Sequence, residues 1–436
     1  MQHFDIVGGN RLKGQVHISG AKNAALPIMA ASILVDGETV LKNVPDLADV
    51  RQMLVLLNQL GVKAQRDPDG ALRLSVQDEM NAHAEYDLVS KMRASVCVMG
   101  PLLAKRRRAQ VAMPGGCAIG ARPIDLHIAG LQKLGADFDL VNGDVLLKAK
   151  KLVGTEIFLG GPFGSSVTAT TNVMMAAVMA EGRTIIESAA CEPEVVDLAH
   201  LLNAMGAKIR GAGGPRITIE GVERLGGADH HVMPDRIEAG TYILAAAITN
   251  GEATIENCPT DSLTALLDRL GQVGVEVETV ATQDATDSRE GLRDTVRVAS
   301  SRRLTPTAIT TQPHPGFPTD LQAQMMTLLC LADGNSIITE KIFPDRFLHV
   351  AELLRMGANL TRSGPTVLVS GVRELIGAPV MASDLRASAG LVLAGLAARG
   401  TTTINRVYHL DRGYEKMEIT LRKLGAEIER VDRPAV

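Results

Sequence analysis

One stretch of the chain carries an unusual density of reactive side chains: Met113-Pro114-Gly115-Gly116-Cys117-Ala118-Ile119-Gly120-Ala121-Arg122-Pro123-Ile124-Asp125-Leu126-His127. A thiol lies among glycines, and an arginine, a carboxylate and an imidazole follow within ten residues. Gly115, Gly116 and Gly120 free the backbone, so the segment reads as a loop able to wrap a ligand. A cysteine there is reachable from solvent, and a cation such as Arg122 would lower its pKa and sharpen its reactivity. The alternative is a small apolar cysteine packed beneath the loop. Two further positions could do chemistry. Lys22 follows Ser19-Gly20-Ala21 and opens an apolar helical stretch over 24–34, where its ammonium and the helix N-terminus together would hold an anion. The other reading is a solvated lysine in a first turn. Asp320 follows Pro318-Thr319 and precedes the apolar run 321–331, a position suited to a helix N-cap.

Elements must position these residues, and the chain repeats its elements. At 436 residues it is too long for one core of ordinary size, so two domains are expected. A helical segment ending in Gly followed by a small residue recurs six times, at Gly61, Gly135, Gly206, Gly274, Gly357 and Gly425. In each copy the glycine stands where a helix C-cap needs positive φ, and a strand-like run follows. A second piece, an apolar helix, then Gly, then a β-branched strand, recurs at Gly37, Gly182, Gly334 and Gly400. The helix over 388–398 is apolar nearly all round and is expected inside a domain. The units are about 70 residues long, too long for a solenoid, and six fall into two groups of three. The joints are expected near 20–22 and 230–234, making one domain discontinuous.

The totals narrow the function classes. Hydrophobic residues make up 46% and charged residues 22%, a globular balance. A net charge of −4 gives no reason to expect nucleic acid or an anionic membrane as partner, and aromatics at 3% weaken any reading built on base stacking. The run Lys105-Arg106-Arg107-Arg108 reads as a solvated loop or edge. Five scattered cysteines (Cys97, Cys117, Cys191, Cys258, Cys330) match neither a disulfide framework nor a metal-ligand spacing. The N-terminus has no basic start or apolar stretch of a signal peptide, and no run of about 18 apolar residues occurs. A cytoplasmic protein without metal or cofactor is expected.

The chain resembles the UDP-N-acetylglucosamine 1-carboxyvinyltransferase family of enolpyruvyl transferases over essentially its whole length. The resemblance rests on Ser19-Gly20-Ala21-Lys22-Asn23, the loop 114–127, Glu192-Pro193-Glu194, Pro234-Asp235-Arg236-Ile237-Glu238-Ala239-Gly240-Thr241, Pro313-His314-Pro315-Gly316-Phe317-Pro318-Thr319-Asp320, Asp384-Leu385-Arg386-Ala387-Ser388 and Asp411-Arg412-Gly413-Tyr414-Glu415. The Cys117 loop is its most specific part, because relatives acting on shikimate phosphate do not carry it. It implies an α/β protein, a two-domain inside-out α/β barrel (EPT/RTPC-like) of six βαβαββ-type units, three per domain. One domain would span 22–231 and carry the Cys117 loop. The other would span 1–21 plus 232–436 and carry Asp320, Arg346, Arg386 and Arg412, the two closing over the substrates.

The implied reaction joins phosphoenolpyruvate to the 3′-hydroxyl of UDP-N-acetylglucosamine and expels phosphate by addition and elimination, the first committed step of peptidoglycan synthesis. It needs a proton for the enol carbon, a base for the hydroxyl and cations for phosphate and carboxylate. The resemblance implies Cys117, Asp320, Lys22 and Arg412 as catalytic. It places Lys22, Arg93, Arg122, Arg386 and Arg412 around phosphoenolpyruvate, where arginine's planar fork grips phosphate or carboxylate with parallel bonds. Around the sugar nucleotide it places Asn23, Arg93, Arg122, Pro123, Ile124, Asp125, Leu126, His127, Ser166, Val167, Asp320, Ile342 and Arg346. It also makes Cys117 the attachment point of the epoxide antibiotic fosfomycin. For each arginine the alternative is a surface ion pair of net value near zero. In the stretch Gly164-Ser165-Ser166-Val167-Thr168-Ala169 the chain departs from the family, which usually reads Ser-Val-Gly-Ala there. Threonine replaces the glycine, and Gly164 stands where some members carry lysine. That leaves open a related transferase acting on another uridine nucleotide, or a non-catalytic UDP-sugar-binding paralogue.

Overall fold

The apolar stretches form helices buried on nearly every side. In a computed structural model, which describes residues 2–113, 124–283, 293–301 and 303–432, Arg236–Ile248 and Gln322–Leu329 are buried throughout and Leu385–Ala397 at all but its first residue. Lys22–Ala31 exposes only Asn23, and Val167–Ala177 is buried from Ala169 onward. Such helices have no face for solvent, so they form the interior and the sheets lie outside them. Close approach relies on glycine at one crossing. A Cβ on Gly100 would stand 2.2 Å from the backbone oxygen of Asn172, so Met99–Arg106 meets Val167–Ala177 backbone to backbone.

A second set of helices is amphipathic: Ala48–Gln59, Asp125–Lys133, Pro193–Ala204, Thr264–Val273, Leu348–Arg355 and Met417–Lys423. Each is followed by its repeated glycine at positive φ, from 81° at Gly61 to 106° at Gly206. Gly37, Gly182, Gly334 and Gly400 also take positive φ. In the second and fourth repeats that turn is made by Arg107 (φ 57°) and Asn250 (φ 50°), so the left-handed turn persists where glycine does not occupy it. The reading of 105–108 as a solvated loop or edge fits the exposed Arg107 and Arg108 but not the half-buried Lys105 and Arg106. Lys105 and Arg106 end a helix, Arg107 caps it, and Arg108 opens a strand. Arg106 is half-buried and donates to the carbonyls of Asn81 and Asp78, while Lys105 pairs with Asp36.

Among the described residues, six four-stranded sheets share one plan, a parallel edge pair continued by two antiparallel strands. Asp229–His231 runs parallel to Glu38–Lys42, with Asp229 opposite Val40, and Leu72–Val76 and Val62–Arg66 follow antiparallel. The same plan places His83–Ala84 beside Arg108–Ala112, Glu156–Phe158 beside Arg183–Glu187, Ala308–Thr310 beside Asn335–Thr339 and Pro379–Met381 beside Thr401–Asn405. The N-terminal segment is divided between two sheets. Lys13–His17 is the parallel edge of Glu252–Cys258, and Gln2–Val7 lies between Thr401–Asn405 and Glu427–Asp432. Phe4 and Ile6 on that strand are fully buried, each contributing about 1.5–3 kcal/mol, which anchors it far from its sequence neighbours.

The chain divides into two compact units. Among the described residues, one holds the chain up to Ser19 and again from Pro234, and the other runs from Gly20 to Met233. Each has its own hydrophobic core and three of the sheets. No helix among the described residues is long and apolar enough to cross a membrane.

Candidate active site

In the unit from Gly20 to Met233, Lys22 is the first residue of its helix and is buried, not solvated as a first-turn lysine would be. Its Nζ lies 3.3 Å from Asp49 Oδ2, in the first turn of Ala48–Gln59. Asn23 beside it is exposed. Arg93 opens the 3-10 turn Arg93–Val98 and is half-buried. Ile124 is buried ahead of Asp125–Lys133, Asp125 is exposed and Leu126 half-buried. Cys117, Arg122 and Pro123 lie outside the described residues.

His127 is 2% exposed and uses both ring nitrogens inside the unit. Asn172 Oδ1 accepts from the Gly100 amide at 2.7 Å, which fixes Asn172 Nδ2 as the donor to His127 Nδ1 at 3.0 Å. Nδ1 therefore accepts, and the ring proton sits on Nε2, donated to Thr168 Oγ1 at 3.0 Å. Thr168 is the residue at which the resemblance leads one to expect glycine, and its hydroxyl bonds to the 124–127 segment. Ser166 caps Val167–Ala177, its hydroxyl accepting from the Ala169 amide at 3.3 Å. Gly164, at φ 99°, belongs to a two-residue strand paired with Gly160–Gly161.

In the other unit a carboxylate and two guanidiniums meet. Asp320 Oδ1 accepts from Arg346 Nη1 at 2.7 Å, and Oδ2 accepts from Arg386 Nη2 at 3.1 Å. The arginine side chains are 9% and 3% exposed, against 24% for Asp320. These are not surface pairs of negligible worth: two desolvated cations share one carboxylate. The N-cap expectation for Asp320 fails. The residue lies within the 3-10 turn Thr319–Leu321, whose N-cap is Pro318, and its carboxylate turns to the arginines because they are the stronger donors. Aspartate does cap elsewhere, with Asp384 accepting from the Arg386 and Ala387 amides and Asp235 from those of Ile237 and Glu238.

Burial opposes the charge on Arg386, but Asp320, Tyr414 and Asp235 outweigh it and hold its pKa above the ordinary guanidinium value. Arg386 donates to the Tyr414 hydroxyl at 3.3 Å and stands 5.7 Å from that ring's centre. Tyr414 in turn meets Thr241 at 2.9 Å, and Gln324 Nε2 donates to Thr241, Tyr414 and the Asp320 carbonyl. Arg412 ends the turn Val407–Arg412 and is half-buried.

Three buried groups in this unit were not expected from the sequence as site residues. Glu340, fully buried, accepts from Thr311 at 2.6 Å, Thr319 at 2.9 Å, and the amides of Ile342 and Phe343 at 2.8 and 3.0 Å. Its place directly after Asn335–Thr339, a strand with alternate residues buried, was the available signal. His349, also buried, is lowered to about 4 by burial and by Arg346, against the opposing pull of Asp384. Glu238 is raised to about 7 by burial, with Asp235 and Glu415 adding to it and Ser19 opposing. Its carboxylate receives the Ser19 amide at 2.9 Å and hydroxyl at 2.5 Å.

A family model described as EPSP synthase (3-phosphoshikimate 1-carboxyvinyltransferase) matches residues 6–429. UDP-N-acetylglucosamine 1-carboxyvinyltransferase from Methylacidiphilum infernorum is 50% identical, covering 99% of both chains. The protein of that name from Myxococcus xanthus is 51% identical over the same shares. Among solved structures, the enolpyruvyl transferase NikO from Streptomyces tendae superposes with TM-score 0.88 at 26% identity, over 99% of each chain. An EPSP synthase from Acinetobacter baumannii shares the fold, with TM-score 0.78 at 20% identity over 99% of this chain and 100% of that one. Half-identity along the full length, on a fold of six repeated sheets, shows that the chain belongs to the enolpyruvyl transferases, among the UDP-N-acetylglucosamine 1-carboxyvinyltransferases.

Proposed function

We propose that the chain transfers the enolpyruvyl group of phosphoenolpyruvate to the 3′-hydroxyl of UDP-N-acetylglucosamine, releasing inorganic phosphate, in the cytoplasm. The observation that carries this is Asp320 held between Arg346 and Arg386, in a chain half identical to proteins of that name along its whole length. In the addition step the sugar oxygen bonds to C2 of phosphoenolpyruvate while C3 takes a proton. In the elimination step C3 gives up a proton, the double bond re-forms and phosphate leaves with the C2–O electron pair. Asp320 receives or orients the hydroxyl proton, since it is the partly exposed member of an otherwise buried cluster. Cys117 serves the phosphoenolpyruvate end. Lys22, Arg93, Arg122, Arg386 and Arg412 balance phosphate and carboxylate.

Around the sugar nucleotide we place Asn23, the 122–127 segment, Ser166, Val167, Ile342 and Arg346. The buried ring of His127, bonded to Thr168 and Asn172, supports a role in setting that segment's conformation.

Phosphate release is the test. Release with phosphoenolpyruvate and UDP-N-acetylglucosamine, and none with UMP as acceptor, supports the proposal. Release with UMP points instead to a different uridine nucleotide, and release with neither acceptor sinks catalysis. Fosfomycin is expected to alkylate Cys117. Labelling that persists in Cys117→Ser, or that neither substrate slows, rejects the role given to that thiol.

A further inference from the structure

Glu340 is a buried carboxylate whose four donors are all neutral, from Thr311, Thr319 and the amides of Ile342 and Phe343. Burying a charge without a cation is costly, so such a group persists only where its bonds hold something in place. Here they tie three segments together: the residue after Ala308–Thr310, the turn Thr319–Leu321 that bears Asp320, and the loop that leads through Ile342 to Arg346. One of the four bonds differs from the rest. Thr319 has a single hydroxyl proton, and giving it to Glu340 Oε2 leaves the oxygen's lone pairs for Arg346 Nη1, 3.0 Å away. Arg346 Nη1 also donates to Asp320 Oδ1, so this guanidinium donates towards both carboxylates, to Asp320 directly and to Glu340 through the Thr319 hydroxyl.

We infer that Glu340 is a positioning residue for the sugar-nucleotide subsite, acting through the Thr319 hydroxyl to aim Arg346 beside Asp320. The inference rests on the transfer reading above for the identity of the substrate. It requires the charge and not only the shape. Oε1 serves three donors and Oε2 only Thr319. In Glu340→Gln the side-chain oxygen takes the Oε1 place and keeps three bonds. The new amide then donates to the Thr319 oxygen, so the direction of the link between residues 340 and 319 reverses, the Thr319 proton loses its acceptor, and the amide competes with Arg346 Nη1 for the same hydroxyl oxygen.

The experiment measures binding of UDP-N-acetylglucosamine alone by calorimetry, KM and kcat for both substrates, and thermal midpoints, for the parent, Glu340→Gln, Thr319→Val, Thr319→Ser and the double variant Glu340→Gln with Thr319→Val. Loss of an outer partner of a binding group typically costs about 10–100-fold, so Kd and KM for the sugar nucleotide should rise at least about tenfold in Glu340→Gln. KM for phosphoenolpyruvate should stay within about twofold and the midpoint within a few degrees. Thr319→Val should match that loss, Thr319→Ser should lie nearer the parent, and the double variant should be no worse than either single one. Unchanged affinity overturns the inference. So do additive losses, or a parallel loss for both substrates with a falling midpoint. A parent that binds UDP-N-acetylglucosamine but releases no phosphate sinks the transfer reading while the binding arm still judges Glu340. A parent that binds neither substrate overturns both.

Discussion

Replacing Asp320 by asparagine separates the structural worth of the carboxylate from its chemical worth. The side chain keeps its volume, but one oxygen becomes an amide that faces guanidinium donors it cannot accept. Arg386, 3% exposed, and Arg346, 9% exposed, then lose the charge that balances them. Removing one partner of a buried pair costs about 3–5 kcal/mol, and the partial exposure of Asp320 places the expected loss near 3. For a unit of roughly 200–250 residues that lowers the thermal midpoint by about 6–12 °C, and activity should fall by at least about a thousandfold. The assay is a thermal melt paired with phosphate release, repeated on Asp320→Asn combined with Arg386→Met. Removing the stranded cation should recover about half of the lost stability and none of the activity. An Asp320→Asn variant that melts with the parent, or a double variant that is additively worse, would show that the three side chains do not depend on one another.

The remaining predictions concern titration and the repeated turns. Glu238 is raised to about 7 from 4.5, so between those pH values the folded chain holds a proton that the unfolded chain has released. Its contribution therefore falls as pH rises through that window, by up to about 3 kcal/mol. His349 is lowered to about 4 from 6.5, so the unfolded chain binds the extra proton and stability falls as pH drops from 6.5 towards 4. The two slopes oppose each other. Glu238→Gln should make the protein markedly acid-sensitive between pH 6.5 and 4.5, while His349→Gln should make it more stable on acidification, both followed by midpoints across pH. A Glu238→Gln profile parallel to the parent's would reject the assignment. At Gly206 an added Cβ meets nothing within 4 Å, yet φ is 106°, so Gly206→Ala should cost about 1–2 kcal/mol through the backbone alone. Gly226→Ala, equally open and not at positive φ, serves as the neutral control; equal midpoints for the two variants would refute the left-handed cap.

Short-range information settled a large part of this protein. Six glycines spaced along the chain marked six helix ends, and all six take the left-handed conformation because that preference belongs to the residue and its immediate neighbours. The burial of Leu385–Ala397 was equally legible, since a helix with no polar face has only one place to go. Motifs such as the one around Arg386 announced the family, and with it the residue types that the chemistry needs. Partnership was decided elsewhere. That Gln2–Val7 lies between strands near the C-terminus depends on which sheet edge was left open by the repeats, and local periodicity carries no such information. Asp320 read by position as a cap and by resemblance as a catalytic carboxylate, and it proved to be the shared counter-ion of Arg346 and Arg386, because two desolvated guanidiniums outbid a backbone amide once packing brings them within 3.1 Å. Lys22 read either as an anion holder or as a solvated first-turn lysine, and only the fold buries it against Asp49, while Glu340 drew no notice until its four donors converged from three segments. Charge and hydrogen-bond pairing act through space over a few ångströms, so residues twenty to seventy apart in the chain acquire their roles only when the fold places them side by side.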